Sequence, residues 1–172
     1  DALSEFIGLA LKSKKPPRLV SGTTGLPPAL KKNLTRLAKT TTVVHSPNFS
    51  IGVQSVKNIL KNISPFLVKQ RYVPSISETH HIHKKDAPSG TAIALQKIIA
   101  PKDPSSIETK SIREGEVIGD HTITFTGLND TITISHSAHD RSIFADGAIK
   151  IALMLAKMAP IKGKILSIED FV

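Results

Sequence analysis

The first 48 residues alternate between helical and extended runs, and this order constrains the fold more than any other feature. Leu3, Phe6, Ile7, Ala10 and Leu11 recur at helical spacing until Lys14-Lys15-Pro16-Pro17 ends the pattern, because proline cannot continue a helix. Arg18-Leu19-Val20-Ser21 reads as a short strand running into Gly22-Thr23-Thr24-Gly25. Pro27 and Pro28 suit the first turn of a second helix carrying Leu30, Leu34 and Leu37. A β-rich run, Thr41-Thr42-Val43-Val44, then ends at His45-Ser46-Pro47-Asn48-Phe49. Helix, strand, helix, strand is the order of a parallel sheet joined by crossover helices. Such sheets bind ligands beyond the carboxyl ends of their strands, so residues 22–25 and 46–49 are candidate ligand loops.

The texture changes near Phe49. Val56, Ile59, Leu60 and Ile63 mark a helix expected to end near Pro65, and residues 72–78 read as a strand. A helix opened by Gly90-Thr91 and carrying Ile93, Leu95, Ile98 and Ile99 precedes three segments of period-two alternation, residues 106–112, 121–126 and 130–135. Gly127-Leu128-Asn129-Asp130 joins the last two as a hairpin. These residues predict a second unit, a mixed or antiparallel sheet with one or two helices on it and one thinly covered face suited to self-association. A final helix carries Ile149, Ala152, Leu153, Ala156 and Lys157 after Phe144-Ala145-Asp146-Gly147, and residues 163–172 read as a strand or an extended arm.

Between the strand and the Gly90 helix lies Thr79-His80-His81-Ile82-His83-Lys84-Lys85-Asp86-Ala87-Pro88-Ser89-Gly90-Thr91-Ala92, which holds three of the seven histidines. Crowded titratable groups repel when charged and cost desolvation when buried, so packing alone seldom produces such a run. His80 and His81 point to opposite faces of a strand while His81 and His83 share one, and spacing suggests no further ligand, which argues against a metal site. The amides of Gly90 and Thr91 at a helix N-terminus instead suit a carboxylate or phosphate, with Ser89 or Thr91 as an ordinary N-cap in the alternative. His80 can act as an acid near neutral pH and Lys84 as a fixed cation or second proton donor, so the stretch describes a site for a polyanion that must be protonated.

Composition narrows the partners. With 23 Lys and Arg against 14 Asp and Glu the chain carries a formal charge of +9. One Tyr, six Phe and no Trp leave few stacking platforms among the cations, which argues against nucleic acid. Cysteine is absent, which removes disulfides and thiolate chemistry. No apolar run approaches the roughly 18 residues that span a bilayer, so a cytoplasmic protein with no membrane partner is expected.

Glu78-Thr79-His80-His81-Ile82-His83-Lys84-Lys85-Asp86-Ala87-Pro88-Ser89-Gly90-Thr91-Ala92 resembles the E-x-H-H-x-x-K-x-D-A-P-S-G-T-A motif of the dihydrodipicolinate reductases of diaminopimelate and lysine biosynthesis. Gly22-Thr23-Thr24-Gly25, Ser46-Pro47-Asn48-Phe49-Ser50-Ile51-Gly52-Val53, Arg113-Glu114-Gly115, Val117-Ile118-Gly119-Asp120-His121 and Arg141 with Phe144-Ala145-Asp146-Gly147-Ala148 follow that family's order. The resemblance implies an α/β protein: the C-terminal part of a Rossmann-type parallel sheet, plus an α+β substrate-binding and tetramerisation domain with an open mixed sheet. Residues 1–48 would belong to the nucleotide-binding domain, 49–142 to the substrate domain, and 143–172 to a segment returning to the first.

It also implies a homotetramer that uses NADPH or NADH to reduce a small dicarboxylate, with His80 as general acid/base and Lys84 as proton donor. His81, Gly90 and Thr91 would contact the substrate, Gly22, Thr23 and Thr24 the nicotinamide, and Ser46, Pro47, Asn48 and Phe49 would form a second cofactor loop, with no metal. The family's opening strand and G-x-G-x-x-G turn have no counterpart in these residues, and Asp1 to Phe6 correspond to the middle of its nucleotide domain. The alternative expectation is a truncated, weak or inactive relative acting as a dicarboxylate-binding or oligomeric scaffold. Asp146 stands where the family has asparagine.

Overall fold

The computed structural model describes residues 2–172, so the reading of Asp1 lies outside the described residues. In chain order the elements begin with α1 (Ala2–Lys12), β1 (Leu19–Ser21), α2 (Pro28–Ala38), β2 (Val43–His45) and α3 (Ile51–Lys69). Next come β3 (Val73–His80), α4 (Gly90–Ile99), a 3-10 turn (Pro104–Ser106), β4 (Glu108–Arg113), β5 (Gly119–Thr126) and β6 (Thr131–Ala138). The chain ends with α5 (Ser142–Lys157), β7 (Ile165–Leu166) and a second 3-10 turn (Ile168–Asp170). No described helix is long and apolar enough to cross a membrane.

The chain divides into two compact units, Asp1–Ser50 with Ser142–Val172, and Ile51–Arg141. The first holds a three-stranded parallel sheet in the order β1-β2-β7, with Leu19 paired to Val43 and Val43 to Ile165. Pro27 caps α2 in extended conformation and proline fills its first position, where a missing N–H costs nothing. Leu30, Leu34 and Leu37 then lie on one buried stripe, packed with Ile7 and Ala10 of α1 and Leu19 and Val43 of the sheet.

Helix α5 starts earlier than the apolar pattern suggests, at Ser142, and takes in Phe144 to Gly147. Its buried positions are Gly147, Ile151 and Leu155, whereas Ile149 and Leu153 are exposed. Gly147 decides the inward face, because a Cβ built there would stand 1.8 Å from the Phe49 carbonyl oxygen. Only glycine lets the helix come that close to the loop backbone.

The second unit is a mixed sheet in the order β4-β3-β5-β6, with β3 parallel to β4 and antiparallel to β5, and β5 antiparallel to β6. Thr126 pairs with Thr131 across the four-residue turn. Helix α3 runs on through Pro65 to Lys69 rather than stopping there. Proline removes one rung of the hydrogen-bond ladder, but Leu60 and Leu67 on either side are buried in the core, and that burial outweighs the local cost.

Alternation along β3 and β5 gives the sheet one covered face and one open face. On the covered face Ile76 pairs with Ile123, next to Phe125, beneath Val56, Leu60 and Leu67 of α3 and Ala92, Leu95 and Ile99 of α4. Further along the same face the residues turn titratable, Glu78 opposite His121 and then His80. The open face carries Ser77, Thr122 and Ser135 in one cross-strand row and Ser75, Thr124 and Thr133 in the next. Thr133 and Ser135 are exposed.

Candidate active site

Strand β3 places Glu78 and His80 two residues apart, hence on the same face, and burial makes them an interacting pair. Glu78 is wholly buried and His80 is 7% exposed. Glu78 Oε2 and His80 Nδ1 meet as an ion pair, and among the described residues neither atom has a hydrogen-bond partner. The second carboxylate oxygen accepts from Arg113 Nη2 at 2.9 Å and from the Ser89 amide at 3.4 Å. Burial alone would raise the Glu78 pKa, but hydrogen bonds from Ser111 and Arg113 and the charges of His80 and Arg113 outweigh it, leaving the carboxyl below its ordinary range.

Desolvation dominates at His80 and lowers its pKa; Glu78 pulls the other way, and the Lys84 and Arg113 charges add to the lowering. A bound dianion would raise it again. His121, opposite Glu78 on β5, sets its ring edge-on to His80 with centroids 5.1 Å apart. Burial, with the His80 charge second, lowers the His121 pKa to about 4, so this ring is neutral near pH 7. Its Nε2 lies 3.1 Å from Ser89 Oγ, which also accepts from the Ala92 amide and so caps α4.

The connection from β3 to α4, residues 81–89, is tied down by one side chain. Arg113, paired in register with His80, donates to the carbonyls of Lys84 and Asp86 at 3.3 and 2.5 Å while holding Glu78. Lys84 is thereby kept near His80, and its Nζ reaches Asp86 at 2.8 Å. The Lys84 ammonium, and less strongly the Gly90 amide, hold the Asp86 carboxyl below its usual range. The Gly90 end of α4, expected to be open to a ligand, therefore already faces a carboxylate from its own chain. Thr91 follows in the first turn of α4, and His81 lies beside His83 with ring centroids 6.1 Å apart, apart from the buried pair.

In the other unit the two candidate loops sit side by side. The Ser46 amide donates to the Ser21 carbonyl at 3.1 Å, and a Cβ on Gly22 would touch the Phe49 ring at 3.6 Å. Gly22, Thr23 and Thr24 are exposed at the carboxyl end of β1, and Pro47 is exposed at that of β2. Ser46 Oγ donates to the Asn48 carbonyl, and the Asn48 side chain accepts from the Ser50 amide at 2.8 Å, which fixes the second loop.

Residues 52–172 match the family model of the dihydrodipicolinate reductase C-terminus. The chain belongs to the dihydrodipicolinate reductase family. It is 36% identical to the 4-hydroxy-tetrahydrodipicolinate reductase of Cupriavidus metallidurans, over 86% of this chain and 63% of that protein. The enzyme of the same name from Buchnera aphidicola is 37% identical, over 89% of this chain and 62% of the relative. The chain thus spans less than two thirds of these reductases. Among solved structures it resembles the dipicolinate-bound dihydrodipicolinate reductase of Paenisporosarcina sp. TG-14 at 26% identity and a TM-score of 0.74, covering 98% of this chain and 69% of that one.

Several parts of the candidate site carried no role in the sequence. Glu78 was visible only as a motif letter, although its i, i+2 relation to His80 was a usable signal. Arg113, Ser111 and His121 reach the cluster through strand register, which local spacing does not encode. Glu78, His80 and His121 also bring one ligand atom each within 4.8 Å of one another. The guanidinium on Glu78 would stand beside any cation placed there, which favours a proton site over a metal site.

Proposed function

We propose that this chain is the substrate-handling part of an NADPH- or NADH-dependent 4-hydroxy-tetrahydrodipicolinate reductase, which yields tetrahydrodipicolinate with loss of water in diaminopimelate and lysine biosynthesis. The observation that carries this reading is the joining of His80, Lys84 and the start of α4 by Glu78, Arg113 and Asp86. An imidazole, an ammonium and a helix N-terminus in one network suit a two-armed carboxylate that must also receive a proton. The Paenisporosarcina relative was solved with such a molecule, dipicolinate.

Each residue then has a task. Lys84 binds a substrate carboxylate after sharing or releasing Asp86, and the amides of Gly90 and Thr91, with His81, orient the other polar groups. His80 delivers the proton. Substrate charge raises the His80 pKa towards neutrality, so binding arms the acid. In the other unit residues 22–24 and 46–49 would hold the dinucleotide; Gly22, Thr23, Thr24 and Pro47 are exposed, and the glycine lets a ligand approach the backbone closely. A bound pyridine nucleotide supplies the hydride. The reading includes a cytoplasmic homotetramer built through the open face of the sheet.

The test is a coupled assay following NAD(P)H oxidation on substrate generated by the synthase that precedes the reductase. His80→Ala and Lys84→Ala should each lower kcat by about 10²- to 10⁴-fold. Turnover unchanged from wild type in both variants would refute the assigned roles, and binding of pyridine-2,6-dicarboxylate without any oxidation would favour the scaffold reading.

A further inference from the structure

We infer that Glu78 and Gly119 are positioning residues for His80: the carboxylate fixes the ring as its Nδ1–H tautomer, and the missing side chain at 119 leaves Nε2 clear to pass a proton to substrate. The inference deepens the reductase reading and rests on it for the substrate, but the tautomer can be tested without it.

Two independent contacts converge on the ring. Glu78 Oε2 meets Nδ1 as an ion pair, and among the described residues no other group hydrogen-bonds to Nδ1, while Arg113, Ser111 and the Ser89 amide engage the carboxylate so that it stays ionised and can accept. An imidazole that donates from Nδ1 must, when neutral, carry its lone pair on Nε2. On that side lies Gly119, where a Cβ would sit 3.0 Å from Nε2 and 3.3 Å from Cδ2. Gly119 opens strand β5 and is not among the glycines of positive φ, so backbone conformation does not require glycine there. What does require it is the His80 ring.

The charged and titratable groups around that ring are Glu78 on its own strand, Arg113 from β4, His121 from β5 and Lys84 from the following loop. Only Glu78 favours the protonated form. In the reaction the imidazolium gives its Nε2 proton to the substrate carbon and returns to the Nδ1–H form. The Glu78 carboxylate stays ionised throughout, and solvent restores the proton.

Imidazole ¹⁵N shifts of His80, followed against pH in the labelled chain and assigned with His80→Gln, read the tautomer directly. The expected result is protonated Nδ1 and bare Nε2 in the neutral ring, with a titration midpoint that falls by about one unit or more in Glu78→Gln. Gly119→Ala should keep the Nδ1–H tautomer yet lower kcat about tenfold or more in the reductase assay, with KM for the dinucleotide unchanged. An Nε2–H ring in the wild-type chain overturns the inference whether or not Glu78→Gln folds, as does an unchanged midpoint in a folded Glu78→Gln. Absence of any turnover would sink the functional reading, while the tautomer would still decide this one.

Discussion

At the scale of single residues the most consequential side chains are imidazoles held uncharged by burial. His121 takes up a proton only near pH 4, whereas an ordinary histidine does so near 6.5. Between those values the unfolded chain binds a proton that the folded chain refuses, so stability is complete above about pH 6.5 and falls as pH drops towards 4. Near pH 4.5 the loss from this ring should be on the order of 2–3 kcal/mol. His80, also lowered, adds in the same direction. Urea unfolding at pH 7.5 and pH 4.5 measures the difference, and His121→Gln should remove most of the histidine share. An equally steep fall in that variant would show that other groups carry it. The sequence announced His80 and Lys84 because they stand in one dense run, yet it was silent on His121, which lies 41 residues beyond His80 and joins it only through the pairing of β5 with β3.

At the scale of elements, one close approach and one tolerated defect were hidden in the chain for different reasons. Apolar periodicity located α5 but not the face it buries, since Ile149 and Leu153 are as hydrophobic as Ile151 and Leu155. The decisive residue was Gly147, whose role depends on a carbonyl almost 100 residues earlier. Gly147→Ala must push the helix from the Phe49 backbone, and it should cost about 1–3 kcal/mol or more in urea denaturation. The strained loop would also weaken dinucleotide binding if residues 46–49 hold the cofactor. Wild-type stability in this variant would mean that the helix slides freely. At Pro65 the local rule stops a helix, but the rule has no knowledge of Leu67, which is buried two residues further on. The parallel strands β1 and β2, by contrast, were legible at once, because Pro17 and Gly22 bracket the first and the threonine-valine run of the second ends at Pro47.

For the whole molecule the proposed assembly rests on the open face of the mixed sheet. Its rows of serine and threonine, with Thr122 and Ser135 hydrogen-bonded at 3.1 Å, offer hydroxyls rather than hydrocarbon to a second copy. The proposed tetramer is therefore expected to sediment as such near neutral pH, and Thr133→Arg with Ser135→Arg should reduce its mass by placing like charges face to face. An undiminished tetramer in the double variant would move the interface elsewhere. The two-part character of the opposite face has an effect on durability. Because Ile76, Ile123 and Phe125 share strands with Glu78, His80 and His121, heating cannot loosen the greasy part of the face while sparing the titratable cluster beside it. Loss of the His80–His121 contact and melting of this unit should then follow a single curve, leaving no temperature at which its sheet persists with the histidine cluster undone.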